Sequence, residues 1–302
     1  ACRACSTDYC CLICSILANI EYLCSIAVSD WGLVMAKIPA KVCARVSQQT
    51  KKFQQAITDA AKRDINESDT ARMVAEMIGE IMGYDKLQEI TGEYAIRGAY
   101  ADLAVKVKND IRFFVEVKAI NIELKDSHVT QVVNYGANQG VDWAILTNGA
   151  KWQAYKIMFA KPVDRTLVME VDLATANCKS DEVIEFFGNF SREVFTSSSM
   201  TRIFQAKQAM SRYSIAALLL SEPVLGMVRR EMKRLVDGLN PDLDEISTII
   251  EQQVIKRELL EGEEAVNATK IVKRGLRRAI RERAKEELPP AQPKIGPGVT
   301  AK

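Results

Sequence analysis

Two acids and a lysine, Asp102, Glu116 and Lys118, lie in two largely apolar segments whose alternating pattern is typical of β-strands. Because side chains alternate along a β-strand, Glu116 and Lys118 project from the same face of their strand. If the two strands pair through the turn at 108–110, Asp102 approaches Glu116. Two close carboxylates form a site for a divalent cation, and hard oxygen ligands suit Mg²⁺.

Such a site fits the hydrolysis of a phosphodiester bond. That reaction needs an in-line nucleophile, relief of charge on the phosphoryl oxygens and stabilisation of the leaving oxygen, which a carboxylate-bound metal supplies. The ammonium of Lys118 would orient the attacking water and favour its deprotonated form. The structural alternative is that Glu116 and Lys118 are ordinary charged residues on a half-buried strand, with Asp102 as a surface acid. The tripeptide Glu-x-Lys does not distinguish the two.

The surrounding pattern predicts an α/β domain with a mixed sheet flanked by helices. Helical spacing of apolar residues indicates one helix over 42–63 and a second that begins at the capping residues 66–70 and ends at Gly83. Segments of period two, a further helical segment at 126–139 and an Asn-Gly turn follow. The predicted strands cover 94–97, 101–107, 111–120, 143–147 and 151–157. Beyond about residue 172 only helical patterns remain, at 181–192, 198–218, 222–237, 242–261 and 264–287.

The residues around the two acids and the lysine form an ordered series of motifs. They read NESDT at 66–70, GYD at 83–85, EYAIRG at 93–98, VEVKA at 115–119, QVVNYGANQG at 131–140 and AILTNG at 144–149. From about residue 66 to 157 the series resembles the N-terminal nuclease domain of type I restriction enzyme R subunits, which is of the PD-(D/E)xK type. Ala101 stands where the motif name has proline, at a position that varies widely in these nucleases.

The resemblance implies a restriction-endonuclease-like fold, with Asp102 and Glu116 as metal ligands and Lys118 as the catalytic lysine. It also implies that Glu67 is a further catalytic acid near the site. The alternative for Glu67 is structural, since an acid at this position also favours the positive end of its helix.

Gln131 and Tyr135 match the QxxxY element of the same family and lie one helical turn apart. The resemblance implies that these two residues contact DNA near the scissile phosphate. Tyr135 has a structural alternative as a core aromatic residue whose hydroxyl is satisfied.

The function implied is that of a Mg²⁺-dependent endodeoxyribonuclease of restriction or defence, with Mn²⁺ as the alternative metal. Its expected partners are DNA and other restriction-system subunits. No GxxxxGK[ST] phosphate loop occurs, so a form without the translocating ATPase motor is expected. The alternative from another class is a catalytically silent DNA-binding or assembly module that keeps the nuclease fold.

Charge and histidine content narrow the other possibilities. The formal net charge of +2 is too small for bulk attraction of a polyanion, so any nucleic-acid contact depends on local clustering of Lys and Arg. One such cluster occupies 270–285, where it would bind phosphate or pair with the acids of 258–264. The single histidine, His128, excludes an HNH nuclease and disfavours a Ser-His hydrolase.

Six of the eight cysteines lie in the first 24 residues, so the body of the chain reads as reduced and cytoplasmic. The CxxC pairs there lack a second pair at finger spacing and a nearby histidine, which argues against zinc. The apolar run at 10–28 is interrupted by Glu21, which argues against a membrane segment. Met35 is the expected natural start. The expected segments are 1–34 as upstream sequence, 35–64 as an N-terminal helix, 65–172 as the nuclease domain, 173–287 as a helical region and 288–302 as a disordered tail.

Overall fold

The computed structural model describes residues 38–96, 99–159 and 162–286. The expectations for the upstream segment 1–34, including its cysteines and its apolar run, and for the tail 288–302 concern residues outside these ranges. The chain divides into two compact units between Gln205 and Ala206.

The first unit contains a six-stranded sheet in which the strands follow one another in chain order. The strands are β1 (Ile90–Ile96), β2 (Ala99–Val107), β3 (Asp110–Val117), β4 (Trp143–Thr147), β5 (Lys151–Met158) and β6 (Asp164–Asp172). Only β3 and β4 are parallel, and every other neighbouring pair is antiparallel. This arrangement confirms the predicted mixed sheet. The sixth strand was not among the predicted elements.

Helices cover both faces of this sheet. The side chain of Asn66 accepts a hydrogen bond from the backbone N–H of Asp69 at 2.9 Å and so caps the second helix, as predicted. That helix continues as a π-helical turn over Ile78–Met82 and ends at Gly83, whose φ of +85° favours glycine. The helices are α1 (Ala40–Arg63), α2 (Glu67–Met77), α3 (Asp126–Gln139), α4 (Asp181–Asn189) and α5 (Ser197–Ala209), the last of which spans the division between the units.

Two apolar clusters lie on the two sides of the sheet. The larger joins α1, α2 and α4 to one face, and the smaller joins α3 to the other. Phe187 of α4 contacts Trp152 of β5 at a ring-centroid distance of 5.3 Å, and Phe190, directly after α4, contacts Phe113 of β3 at 5.2 Å. Since these rings complete the core, the first unit extends beyond the boundary expected at residue 172.

Both predicted turns are present. Val107 pairs with Asp110, which leaves Lys108 and Asn109 as a two-residue turn with φ angles of +52° and +68°. Two consecutive left-handed residues match the twist of a hairpin, so this turn fixes how β2 pairs with β3.

The second unit is helical, which confirms the all-helical C-terminal region. The predicted single helix over 198–218 is interrupted, because the side chain of Ser211 accepts from the backbone N–H of Ser214 at 3.2 Å and starts a new helix. The helices are α6 (Arg212–Leu219), α7 (Glu222–Leu235), α8 (Leu243–Ile249), a π-helical turn (Ile250–Val254), a 3-10 turn (Arg257–Leu259) and α9 (Glu263–Glu286).

Across the described ranges, no helix combines the length and the apolar character that crossing a membrane requires.

Candidate active site

The pairing of β2 with β3 brings the two predicted metal ligands together. Leu103 pairs with Val115 and Ala104 with Phe114, so the next position along this register sets Asp102 opposite Glu116. On its other side Glu116 pairs with Leu146 of β4. Both acids therefore lie on interior strands of the sheet rather than on an edge strand.

Glu116 is the most enclosed charged residue of this group. It is 0 % exposed, and its Oε1 accepts a hydrogen bond from Lys118 Nζ at 2.8 Å. Its Oε2 is buried, and no donor in the described part of the chain reaches it. Burial raises the pKa of Glu116 to about 7 against the lowering effect of the Lys118 hydrogen bond, and the nearby Asp102 charge raises it as well. A buried oxygen without a donor is costly, so this atom is suited to receive a cation.

Lys118 connects two carboxylates. Its Nζ lies 2.8 Å from Glu116 Oε1 and 3.4 Å from Glu67 Oε1, and its side chain is 14 % exposed. Burial lowers the pKa of Lys118, but the hydrogen bond to Glu116 and the surrounding negative charges outweigh burial, so the net direction is upward. Its backbone N–H donates to Thr147 O at 2.9 Å, which fixes the end of β3 against β4. The site thus holds a positively charged ammonium at neutral pH.

Asp102 lies where β2 departs from regular alternation. Ala101 packs on the α3 side of the sheet, whereas Leu103, two residues later, packs on the opposite side. The backbone N–H of Val117 donates to Asp102 Oδ2 at 2.7 Å instead of to a main-chain carbonyl. Burial raises the pKa of Asp102, and the Val117 N–H counteracts part of this rise. The irregular strand therefore turns the carboxylate toward the end of β3.

Glu67 is the first residue of α2, which places it at the positive end of the helix dipole. Its side chain is half exposed and reaches Lys118. The helix start thus brings a third carboxylate to the group. Glu67 both lies at the positive end of its helix, which is its structural alternative, and forms the ion pair with Lys118.

Gln131 and Tyr135 lie on α3, which covers the face of the sheet that carries Ala101 and Phe114. Gln131 is exposed, and its Nε2 donates to the hydroxyl oxygen of Tyr135 at 2.9 Å. Tyr135 itself is 6 % exposed.

Among the described residues, no hydrogen bond joins the pair of Gln131 and Tyr135 to the acids or to Lys118. The structure thus brings Asp102, Glu116, Lys118 and Glu67 together and holds Gln131 with Tyr135 as a separate pair.

Glu93 is a further acid to which the sequence alone assigns no role. It lies between Gly92 and Tyr94, which pair with Leu103 and Ala101, so its place in the register is opposite Asp102. Its φ is +47°, and its charge contributes to raising the pKa of Asp102. The sequence could indicate this position of Glu93 only through the strand pairing, which requires β1 and β2 to be aligned as a hairpin.

The donor set fits Mg²⁺, which is commonly held by one or two carboxylates and keeps several of its waters. Asp102 and Glu116 would supply the carboxylates, and the buried Oε2 of Glu116 would supply an oxygen that no donor among the described residues reaches. Within the part of the chain that the structure describes, no group of three or more His, Cys, Asp or Glu side chains is placed to hold a metal ion. A site with two carboxylates matches a partly hydrated cation better than a fully enclosed one.

No curated protein and no solved structure matches the chain significantly. The segment that matches a family model includes Asp102, Glu116, Lys118, Gln131 and Tyr135, and it begins three residues after Glu67. Residues 70–166 match the family described as the type I restriction enzyme R protein N terminus, which confirms the family resemblance of the motifs and associates this segment with restriction systems.

Proposed function

We propose that this chain is a Mg²⁺-dependent endodeoxyribonuclease of a restriction or defence system, with Mn²⁺ as an alternative metal. The observation that carries the proposal is the buried Oε2 of Glu116, which lies near Asp102 and the Lys118 ammonium and which no donor among the described residues reaches. Buried groups with strongly perturbed pKa values and a specific charge partner are concentrated at functional sites. The family of residues 70–166 supplies the chemical context.

Asp102 and Glu116 would hold the metal through their carboxylate oxygens. When bound there, Mg²⁺ supplies positive charge to the scissile phosphate and to the leaving oxygen. One carboxylate oxygen of Asp102 accepts a hydrogen bond from the Val117 N–H, which orients the carboxylate before substrate arrives. Glu116 is enclosed by the sheet, so water cannot compete freely for its second oxygen.

Lys118 acts in this proposal as a cation and not as a neutral base. Its raised pKa keeps the amine protonated at neutral pH. From that state it would donate a hydrogen bond to the attacking hydroxide, formed when the water releases its proton to solvent, and would stabilise the negative charge that develops on the phosphate. Glu67 accepts from the same ammonium and so positions it, 3.4 Å away.

Gln131 is the proposed DNA contact, and Tyr135 is the residue that positions it. Tyr135 is buried and accepts the hydrogen bond of Gln131, so it positions the exposed amide rather than reaching substrate with its own ring. The amide of Gln131 retains a carbonyl oxygen and a second N–H for polar groups of the DNA backbone.

A cytoplasmic location is also part of the proposal and accords with the unpaired cysteines Cys43 and Cys178. The 302 residues contain no GxxxxGK[ST] phosphate loop, so within them the nuclease lacks a translocase motor. Other restriction-system subunits are the proposed protein partners.

The test is incubation of the purified full chain with DNA and, separately, with RNA, in MgCl₂, MnCl₂ or EDTA. The proposal predicts cleavage of DNA with either metal and none in EDTA. DNA binding without cleavage of either nucleic acid in any metal would contradict it and favour the silent binding or assembly module.

A further inference from the structure

The last described helix, α9, carries a row of cations along one side. We call five of them the α9 cation row: Lys270, Lys273, Arg274, Arg277 and Arg281. Their spacing of three and four residues keeps them on neighbouring positions of one helix face. With a rise of 1.5 Å per residue, the row spans about 16 Å.

All members of the row are exposed. No carboxylate among the side chains that the structure describes, which end at residue 281, forms an ion pair with any of them. Two of the four acids in 258–264 pair with other residues: Glu258 lies 3.9 Å from Arg212, and Glu261 lies 2.6 Å from Arg257. The sequence leaves open that the acids of 258–264 pair with the row. In the structure these acids therefore do not neutralise it.

The opposite side of α9 packs within the second unit. Ala265 and Ala268 are buried there, and the helix contacts α6. Packing thus fixes the orientation of α9 and leaves the row facing solvent. The surface is held in place by the fold and is not a mobile charged tail.

Three pairs of like charges in the row lie four residues apart: Lys270 with Arg274, Lys273 with Arg277, and Arg277 with Arg281. Like charges at this spacing destabilise a helix. A polyanion along the helix relieves this repulsion. Double-stranded DNA supplies such an anion, with one negative charge per about 1.7 Å of its axis.

We propose that the α9 cation row is a second DNA contact, which binds backbone phosphates without reading sequence. The row contains no aromatic side chain for stacking on bases, so phosphate is the group it fits. Only the choice of DNA as the polyanion rests on the proposed nuclease function. The anion-binding surface follows from the helix itself.

The test measures binding of a fluorescein-labelled duplex to the full chain by anisotropy, in EDTA and over a series of NaCl concentrations. One variant combines Lys270→Gln, Lys273→Gln, Arg274→Gln and Arg277→Gln. Four lost phosphate contacts reduce the slope of log Kd against log salt concentration by about 3 to 4 and weaken binding of every duplex sequence alike.

Two controls separate the row from net charge and from folding. The matched control combines Lys41→Gln, Lys51→Gln, Lys62→Gln and Lys179→Gln, four exposed and scattered lysines of the first unit, and it should keep nearly the wild-type slope. Arg274→Lys with Arg277→Lys keeps the charge and should keep the slope as well. Circular dichroism verifies the helix content of each variant.

An unchanged slope in the row variant, or an equal loss in the scattered control, would overturn the proposal. Tighter binding of polyglutamate than of the duplex by the same residues would overturn it in favour of an acidic protein surface. Because the assay contains EDTA, its result is independent of cleavage. Intact binding without any nuclease activity contradicts the proposed function and leaves the row in place.

Discussion

Lowering the pH should weaken metal binding through Glu116. A carboxylate must lose its proton before it can hold a cation, and the pKa of this group lies at about 7. At pH 6 about one-tenth of Glu116 is ionised, whereas at pH 8 about nine-tenths is. The affinity for Mg²⁺ should therefore fall about tenfold between pH 8 and pH 6, which corresponds to about 1.4 kcal/mol.

The same shift predicts how the metal-free protein responds to pH. The pKa of Glu116 lies above its ordinary value of 4.5 because burial disfavours the charged form. The proton is held more tightly in the folded state, so its stabilising contribution is complete below about pH 4.5 and is lost as the pH rises through about 7. The full loss is about 3 kcal/mol, and Mg²⁺ should restore part of it above pH 7.

Thermal unfolding with and without MgCl₂ at pH 6, 7 and 8 measures both effects. The increase in Tm on adding Mg²⁺ should be largest at pH 8. Glu116→Gln is the control, because it removes the titrating group and should abolish both the pH dependence and the metal effect. Equal stabilisation of the wild-type chain by Mg²⁺ at pH 6 and pH 8 would refute the reasoning.

Substitutions at three positions test the surrounding structure. Asp102→Ala leaves the Val117 N–H without its acceptor and should cost about 1–3 kcal/mol in urea unfolding, whereas Asp102→Asn keeps an acceptor and should cost less. Phe187→Ala should destabilise the first unit by about 3–5 kcal/mol, and a cost below about 1 kcal/mol would show that α4 is not part of that core. Tyr135→Phe should raise the KM for DNA severalfold with little change in kcat, and the reverse pattern would contradict a positioning role.

Most elements near the site are predictable from the sequence because their signals are local. Asn66 caps α2, Gly83 ends the following turn, and Lys108 with Asn109 closes the β2–β3 hairpin. Each depends on the backbone preference of one or two residues. The alternation of Glu116 with apolar neighbours likewise identifies β3 without tertiary information.

The remaining features depend on contacts between distant segments. β6 pairs with β5 along an edge and lacks regular alternation, so its sequence does not reveal it. The place of α4 in the first core depends on aromatic contacts with β3 and β5. The turn of Asp102 toward Val117 and the left-handed backbone of Glu93 opposite it appear only when three strands are aligned.

Removal of the Lys118 ammonium tests the central claim most directly. The measurement is the single-turnover rate of DNA cleavage at saturating Mg²⁺ for the wild-type chain, Lys118→Met and the control Lys151→Met, which changes an exposed lysine of β5. Loss of a charge that stabilises the transition state should reduce the Lys118→Met rate at least about a hundredfold, while the control keeps the wild-type rate. Metal-dependent cleavage by Lys118→Met at the wild-type rate would contradict the proposed site.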